Sequence, residues 1–179
     1  IGFGFGMLTL LLAGVVGYTL MEVSKINGMS TKVVTVRMPS ALQSLRMLTG
    51  MNRSLAAIRS YLLFGKDKFK AERAETWAEQ IDPSFQELKK LSANWTDQKN
   101  IDGLKTVEAK YDLLRKSQQK VEDLVATNPE EAKKILAEET APLSTSIRAE
   151  LKAMSDKQRD LAIKNGEETT AVIAGLNKI

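Results

Sequence analysis

An all-α, antiparallel four-helix bundle, entered by an N-terminal transmembrane helix continuous with its first helix, is the fold this sequence predicts. Three observations carry that reading. No residue from Ile1 to Met21 is charged. Beyond them, apolar residues recur at alternating spacings of three and four over four long stretches, which keeps one face of each helix buried against its neighbours. Turn formers are scarce, with four prolines and eleven glycines in 179 residues, and no stretch alternates apolar with polar residues as a half-buried strand does.

The run IGFGFGMLTLLLAGVVGYTLM is about one bilayer thickness long as a helix. Glu22 and Lys25 close it. A cleaved leader is also apolar, but this run outlasts the usual apolar core of one and no small-residue cleavage site follows. Residues 1–21 are therefore read as a retained membrane helix and 22–179 as a four-helix bundle. Any basic anchor ahead of Ile1 is unseen, so charge does not set the orientation.

The first bundle helix is expected over 22–64, with Pro39 able to kink it. It ends at Gly65, a residue suited to the left-handed position after a helix. Asp67 is read as the cap of a second helix over 67–92, with Asp82-Pro83 as a kink or restart. Asn94 to Asp97 form a loop, and a third helix covers 98–126. Thr127-Asn128-Pro129 breaks the chain before the last helix, 129–179.

Each helix carries an apolar ladder. Ala41, Leu45, Leu48, Asn52, Leu55, Arg59 and Leu62 form the first; Ala74, Trp77, Ile81, Ser84, Leu88, Leu91 and Trp95 the second. Leu104, Val107, Tyr111, Leu114, Gln118, Val121 and Val125 give the third, and Leu136, Thr140, Leu143, Ile147, Leu151, Met154, Gln158 and Leu161 the fourth. The first helix bears a second ladder of Met47, Met51, Ser54, Ile58 and Tyr61. Two stripes on one helix need two partners. The second is either a widened core face or the seam of a homodimer.

Asn52, Arg59, Gln118 and Thr140 stand on rungs where leucine is expected. A buried polar group without a partner costs on the order of 1–3 kcal/mol, so the four suggest a polar pocket between helices, unless they only fix register or snorkel outward. Arg53 and Arg148 can add charge from flanking positions. By helix rise, Arg53 and Arg59 lie about 40–50 Å beyond the membrane end, and residues 145–151 fall at the same height if the last helix re-enters the membrane near Ile179. An arginine there is the usual fork for a carboxylate, so the expected ligand is a small anion.

Composition removes most alternatives. Without cysteine or histidine there is no thiolate nucleophile, histidine base or imidazole metal site. The adjacent pairs Glu130-Glu131, Glu138-Glu139 and Glu167-Glu168 point apart on a helix. Gly2, Gly4 and Gly6 lie inside the apolar run and form no phosphate loop. No enzyme, metal or cofactor is expected. A net charge of +4, from 26 basic and 22 acidic residues interspersed along the chain, does not favour nucleic acid.

The opening Ile1-Gly2-Phe3-Gly4-Phe5-Gly6 with its leucine-rich continuation resembles the first transmembrane helix of methyl-accepting chemotaxis receptors. The segment Asn52 to Asp67, NRSLAAIRSYLLFGKD, is similar to a helix and turn found in four-helix-bundle sensor domains of those receptors and of related histidine kinases. It departs at Ser60, where glycine is usual. Asp82-Pro83, Leu91 to Thr96 and Ala141-Pro142-Leu143 also match. The resemblance implies a periplasmic sensor domain held in the inner membrane, dimerising through its first helix. It implies a small-molecule ligand near the membrane-distal end, and a shift of the last helix passed through a second span of a larger receptor. The competing reading is a structural single-pass or filament-forming protein assembling through its apolar helix, although Phe5 stands where pilin-like chains usually carry glutamate.

Overall fold

The computed structural model describes residues 2–176, with side chains from residue 6 onward. Among the described residues there is no strand, and only three short connections at 65–66, 93–97 and 125–128 are not helical. The helices are α1 (Gly2–Lys32), α2 (Met38–Phe64), α3 (Asp67–Thr76), α4 (Asp82–Ser92), α5 (Gln98–Leu124), α6 (Pro129–Ile135) and α7 (Ala141–Leu176). Single π-helical turns at Val33–Arg37, Trp77–Ile81 and Leu136–Thr140 join α1 to α2, α3 to α4 and α6 to α7. Four continuous rods result, and they form an all-α four-helix bundle.

Local chemistry sets the rod ends. Gly65 takes the left-handed conformation at φ 63° and returns its N–H to the Tyr61 carbonyl at 2.8 Å. Asp97 caps α5, its side chain accepting from the Asn100 N–H at 3.1 Å. Asn128 caps α6 in the same way, ahead of Pro129. Asp67, by contrast, is the first residue of α3 rather than its cap, and the preceding Lys66 makes no capping bond. At Pro39 and Pro83 a π turn precedes the proline instead of a simple kink.

The core is built mainly from Met47, Met51, Ile81, Leu114, Ile147 and Leu151, all fully buried, with Leu55, Ile58, Val121 and Ile135 forming its end away from α1. The first rod packs against the second and the last, and the third against the last. Below the bundle α1 continues beside α7. One helix, counted from Gly6 through Phe64, is long and apolar enough to cross a membrane, and its most apolar window is wholly unburied.

The first helix buries its second ladder whole and its first only in part, at Ala41 and Leu55. Met47, Met51, Ser54, Ile58 and Tyr61 are covered by the chain's own helices, so they are core and not a subunit seam. Leu45, Asn52 and Arg59 are exposed. Small residues explain the choice: Ser40, Ser44, Gly50, Ser54 and Ala57 share the inward face and let the neighbouring rods come close. Apolar spacing alone does not distinguish the two stripes.

Candidate functional site

The predicted polar residues divide among separate places. Gln118 and Thr140 lie in one buried polar layer across all four rods. Gln118 Oε1 accepts from Ser54 Oγ and from Trp77 Nε1, both at 2.8 Å. Thr140 Oγ1 meets Ser117 Oγ at 3.0 Å, and the Ser117 hydroxyl also reaches the Leu114 carbonyl at 3.1 Å. Sequence spacing finds this layer because an amide or hydroxyl replaces leucine on the ladder. Gln118 Nε2 remains without a partner.

The remaining candidates do not join that layer. Arg53 spans rods one and two on the surface, its Nε 3.1 Å from Glu72 with Glu75 at 4.0 Å. Asn52 and Arg59 are exposed on the outward face of α2 rather than set in the core. Among the described residues Arg59 forms no ion pair, with Glu79, Glu150 or any other carboxylate. Arg148 is half-buried with its Nε unpartnered, and it is lower than expected. The Arg37–Gln158 contact fixes the register of rods one and four, and equal rise along both brings Arg148 level with Met47, about 9 Å short of Arg53. The expected height fails because this register sets Leu176 level with Thr19, deeper than the Lys25 level assumed for the end of the last helix; Ile179 itself lies outside the described residues.

Three charged groupings escape sequence reading. Arg73 and Glu122 form a bidentate pair between rods two and three, Nε to Oε1 at 2.5 Å and Nη2 to Oε2 at 2.8 Å, with side chains only 8% and 6% exposed. Asp82 accepts from both Tyr111 and Arg115, and the Arg115 guanidinium covers the Trp77 ring at 4.4 Å. Burial and that carboxylate push the Tyr111 hydroxyl far above its ordinary pKa. Arg37, at the base, is 5% exposed. Their charged members, Arg73, Glu122, Asp82, Arg115 and Arg37, flank ladder positions rather than occupy them, so apolar spacing carries no sign of them.

A groove of about 540 Å³ opens between α5 and α7, with Ser117 in its wall and Lys110, Lys116 and Lys120 facing Glu138, Glu139 and Leu143. Such surfaces offer hydrogen bonds and charge.

The outward face of α2 carries a regular stripe of its own. Met38, Leu42, Leu45, Thr49, Asn52, Ala56, Arg59 and Leu63 follow a 4-3 alternation without a slip, and every one is exposed. A family model described as a four-helix-bundle sensory module for signal transduction matches residues 1–173. The chain belongs to this family. No curated protein matches it, and no solved structure does. In this sensory module the buried polar layer and the exposed α2 stripe lie on opposite sides of the same helix. Rods one and four alone extend below the bundle among the described residues.

Proposed function

We propose that this module is the ligand-sensing extracytoplasmic domain of a bacterial chemoreceptor in the cytoplasmic membrane. It works as a homodimer, binds a small anion, and passes a shift of its last helix across the bilayer. It is a binding device, not a catalyst. The observation that carries the reading is the uninterrupted exposed stripe of α2, with Arg59 unpaired upon it.

An isologous pairing along that stripe sets Arg59 of one protomer near the same residue of its partner. Two guanidinium groups facing each other repel, and a carboxylate between them converts the repulsion into two charge-assisted forks. Asn52, two turns below on the same stripe, supplies an amide to the ligand's remaining polar atoms. Arg53, already engaged by Glu72, flanks this place without pointing its charge freely into it. Gln118 and Thr140 hold the helices behind the site in register, and Arg148 lies further down the last rod. Transmission follows from the rods: a ligand that draws two copies of α2 together displaces α7, which packs along α2 and continues toward the membrane.

Titration calorimetry of the full chain in lipid nanodiscs, against a panel of amino acids and organic acids, tests this reading. Binding of at least one small carboxylate is expected, abolished by Arg59→Met with the melting temperature unchanged. Loss of stability in Arg59→Met without any carboxylate binding to the unsubstituted chain contradicts it.

A further inference from the structure

The residues of the groove between α5 and α7 are sorted by height. Contacts from Lys110 to Ser146, Ser117 to Thr140 and Lys120 to Glu139 set the antiparallel register of its two walls. From Lys110 to Lys120 the α5 wall rises about 15 Å. At the upper end Lys116 and Lys120 stand with Glu138 and Glu139, and Lys120 Nζ lies 3.5 Å from Glu139 Oε1. In the middle lie Leu113, 53% exposed, on one wall, and Pro142 with the half-buried Leu143 on the other. At the lower end are Lys110 and Ser146, and no carboxylate of the groove.

Lys110 is half-buried, donates from Nζ to Ser146 Oγ at 2.5 Å, and forms no ion pair among the described residues. The Ser146 oxygen is the acceptor in that bond, so its own hydrogen remains a donor. The carboxylates around Lys110 are turned elsewhere. Glu108 meets Lys89 at 2.6 Å, Glu150 lies against Gly103 two turns below, and Asp112 is set about 200° away around the helix. Three lysines against two glutamates leave the groove one positive charge in excess, and it falls at the lower end. Just above that charge, apolar surface is held open to water. A cation and donors at one end, with an apolar floor beside them, match a molecule that has the same two ends.

We propose that this groove takes a medium-chain alkyl carboxylate, its head received by Lys110 and Ser146 and its chain laid upward over Leu113, Pro142 and Leu143. A small anion alone leaves Leu113 wet, an uncharged chain leaves Lys110 unanswered, and a cation meets the wrong charge. Arg37 and Gln158 set Ser146 level with Thr49, about 35 Å along the first rod from Lys25. Lipid in a bilayer crossed by α1 does not reach that height, so the occupant is a dissolved amphiphile. Its binding stands apart from the sensing reading and uses neither Arg59 nor the α2 stripe. Its consequence, a molecule that braces α7 against α5 just below the last π turn, bears on signalling only through that reading.

The test is titration calorimetry of the full chain in lipid nanodiscs, with empty nanodiscs as the blank. Octanoate is expected to bind at one site per chain, and octanol and octylammonium at least about tenfold more weakly. Octanoate binding should survive Arg59→Met, and acetate should give no heat in that background. Lys110→Met keeps the apolar stem and removes the charge, and Leu113→Glu sets a carboxylate where the chain would lie. Each should weaken octanoate at least about tenfold while the melting temperature stays within a few degrees. Should one variant not fold, the other and the ligand series decide. Octanol or octylammonium binding as tightly as octanoate marks an unselective apolar surface and overturns the site. So does acetate binding as octanoate does, octanoate binding undiminished in the variants, or no octanoate binding at all. Octanoate lost with Arg59→Met but kept with Lys110→Met belongs to the α2 stripe, which also overturns the groove site. The groove and the sensing reading therefore fail separately.

Discussion

Arg46 Nη2 donates at 2.9 Å to the main-chain carbonyl of Glu79, four residues before Pro83. Proline has no N–H to offer that carbonyl, and its ring crowds it. A side chain from the neighbouring rod supplies the missing donor. The three π turns share this origin. Each ends two residues before a proline: Arg37 before Pro39, Ile81 before Pro83 and Thr140 before Pro142. In each, the residue before the proline bonds five residues back, to Val33, Trp77 or Leu136. The wider turn makes room for the ring, and the rod continues where a kink was expected.

Gly50 faces the second of these turns, and substitution there is predicted to be costly. A Cβ on Gly50 meets Ile81 Cγ1 at 2.8 Å and Gln80 Cβ at 3.2 Å, and Ile81 is fully buried. Gly50→Ala should destabilise the chain by about 1–3 kcal/mol in chemical denaturation. Gly103→Ala is the control. Its one close Cβ contact is the flexible end of Glu150 at 2.9 Å, Met154 Cγ and Sδ lying at ordinary contact distances of 3.6 and 3.8 Å, so a gain of up to about 1 kcal/mol from helix propensity is expected.

Removing the acceptor in the polar layer should cost more than its size suggests. Gln118→Leu strands the donors of Ser54 and Trp77, a loss of about 2–4 kcal/mol. Adding Ser54→Ala should return part of it, giving a coupling of about 0.5–3 kcal/mol in the double-mutant cycle. Thr140→Val should cost less than about 1 kcal/mol, since Ser117 keeps its bond to the Leu114 carbonyl.

The Arg73–Glu122 pair behaves differently. Arg73→Met leaves a carboxylate buried with no counter-charge and should cost about 3–5 kcal/mol in equilibrium unfolding. Arg73→Met combined with Glu122→Leu should recover most of that, because the desolvation cost leaves with the charges.

The fold was legible because helix ladders record burial directly. Trp77, Ile81 and Leu88 on the second rod, and Leu104 through Val121 on the third, are buried as the spacing requires. Gly65, Asp97 and Asn128 end or begin rods through side-chain or backbone chemistry that spacing does not touch. The site was legible only in part. Gln118 and Thr140 show themselves by standing where leucine belongs. Asn52 and Arg59 stand on an equally regular ladder that straddles the edge of the core, with Ala41 and Leu55 inside and these two outside, since a helix with two apolar stripes leaves its inward side undetermined. Arg37 and Arg73 pair across rods with residues far along the chain, and such partners become visible only when the rods are placed side by side.

The outward face of α2 is where the account is most exposed to refutation. Cysteines placed singly along this helix, in the full chain in native membranes, and oxidised briefly, test it directly. Leu45→Cys and Ala56→Cys should form disulfide-linked dimers readily, while Met51→Cys and Ile58→Cys, shielded inside one bundle, should not. Efficient cross-linking through Met51 or Ile58 with none through Leu45 and Ala56 would contradict it.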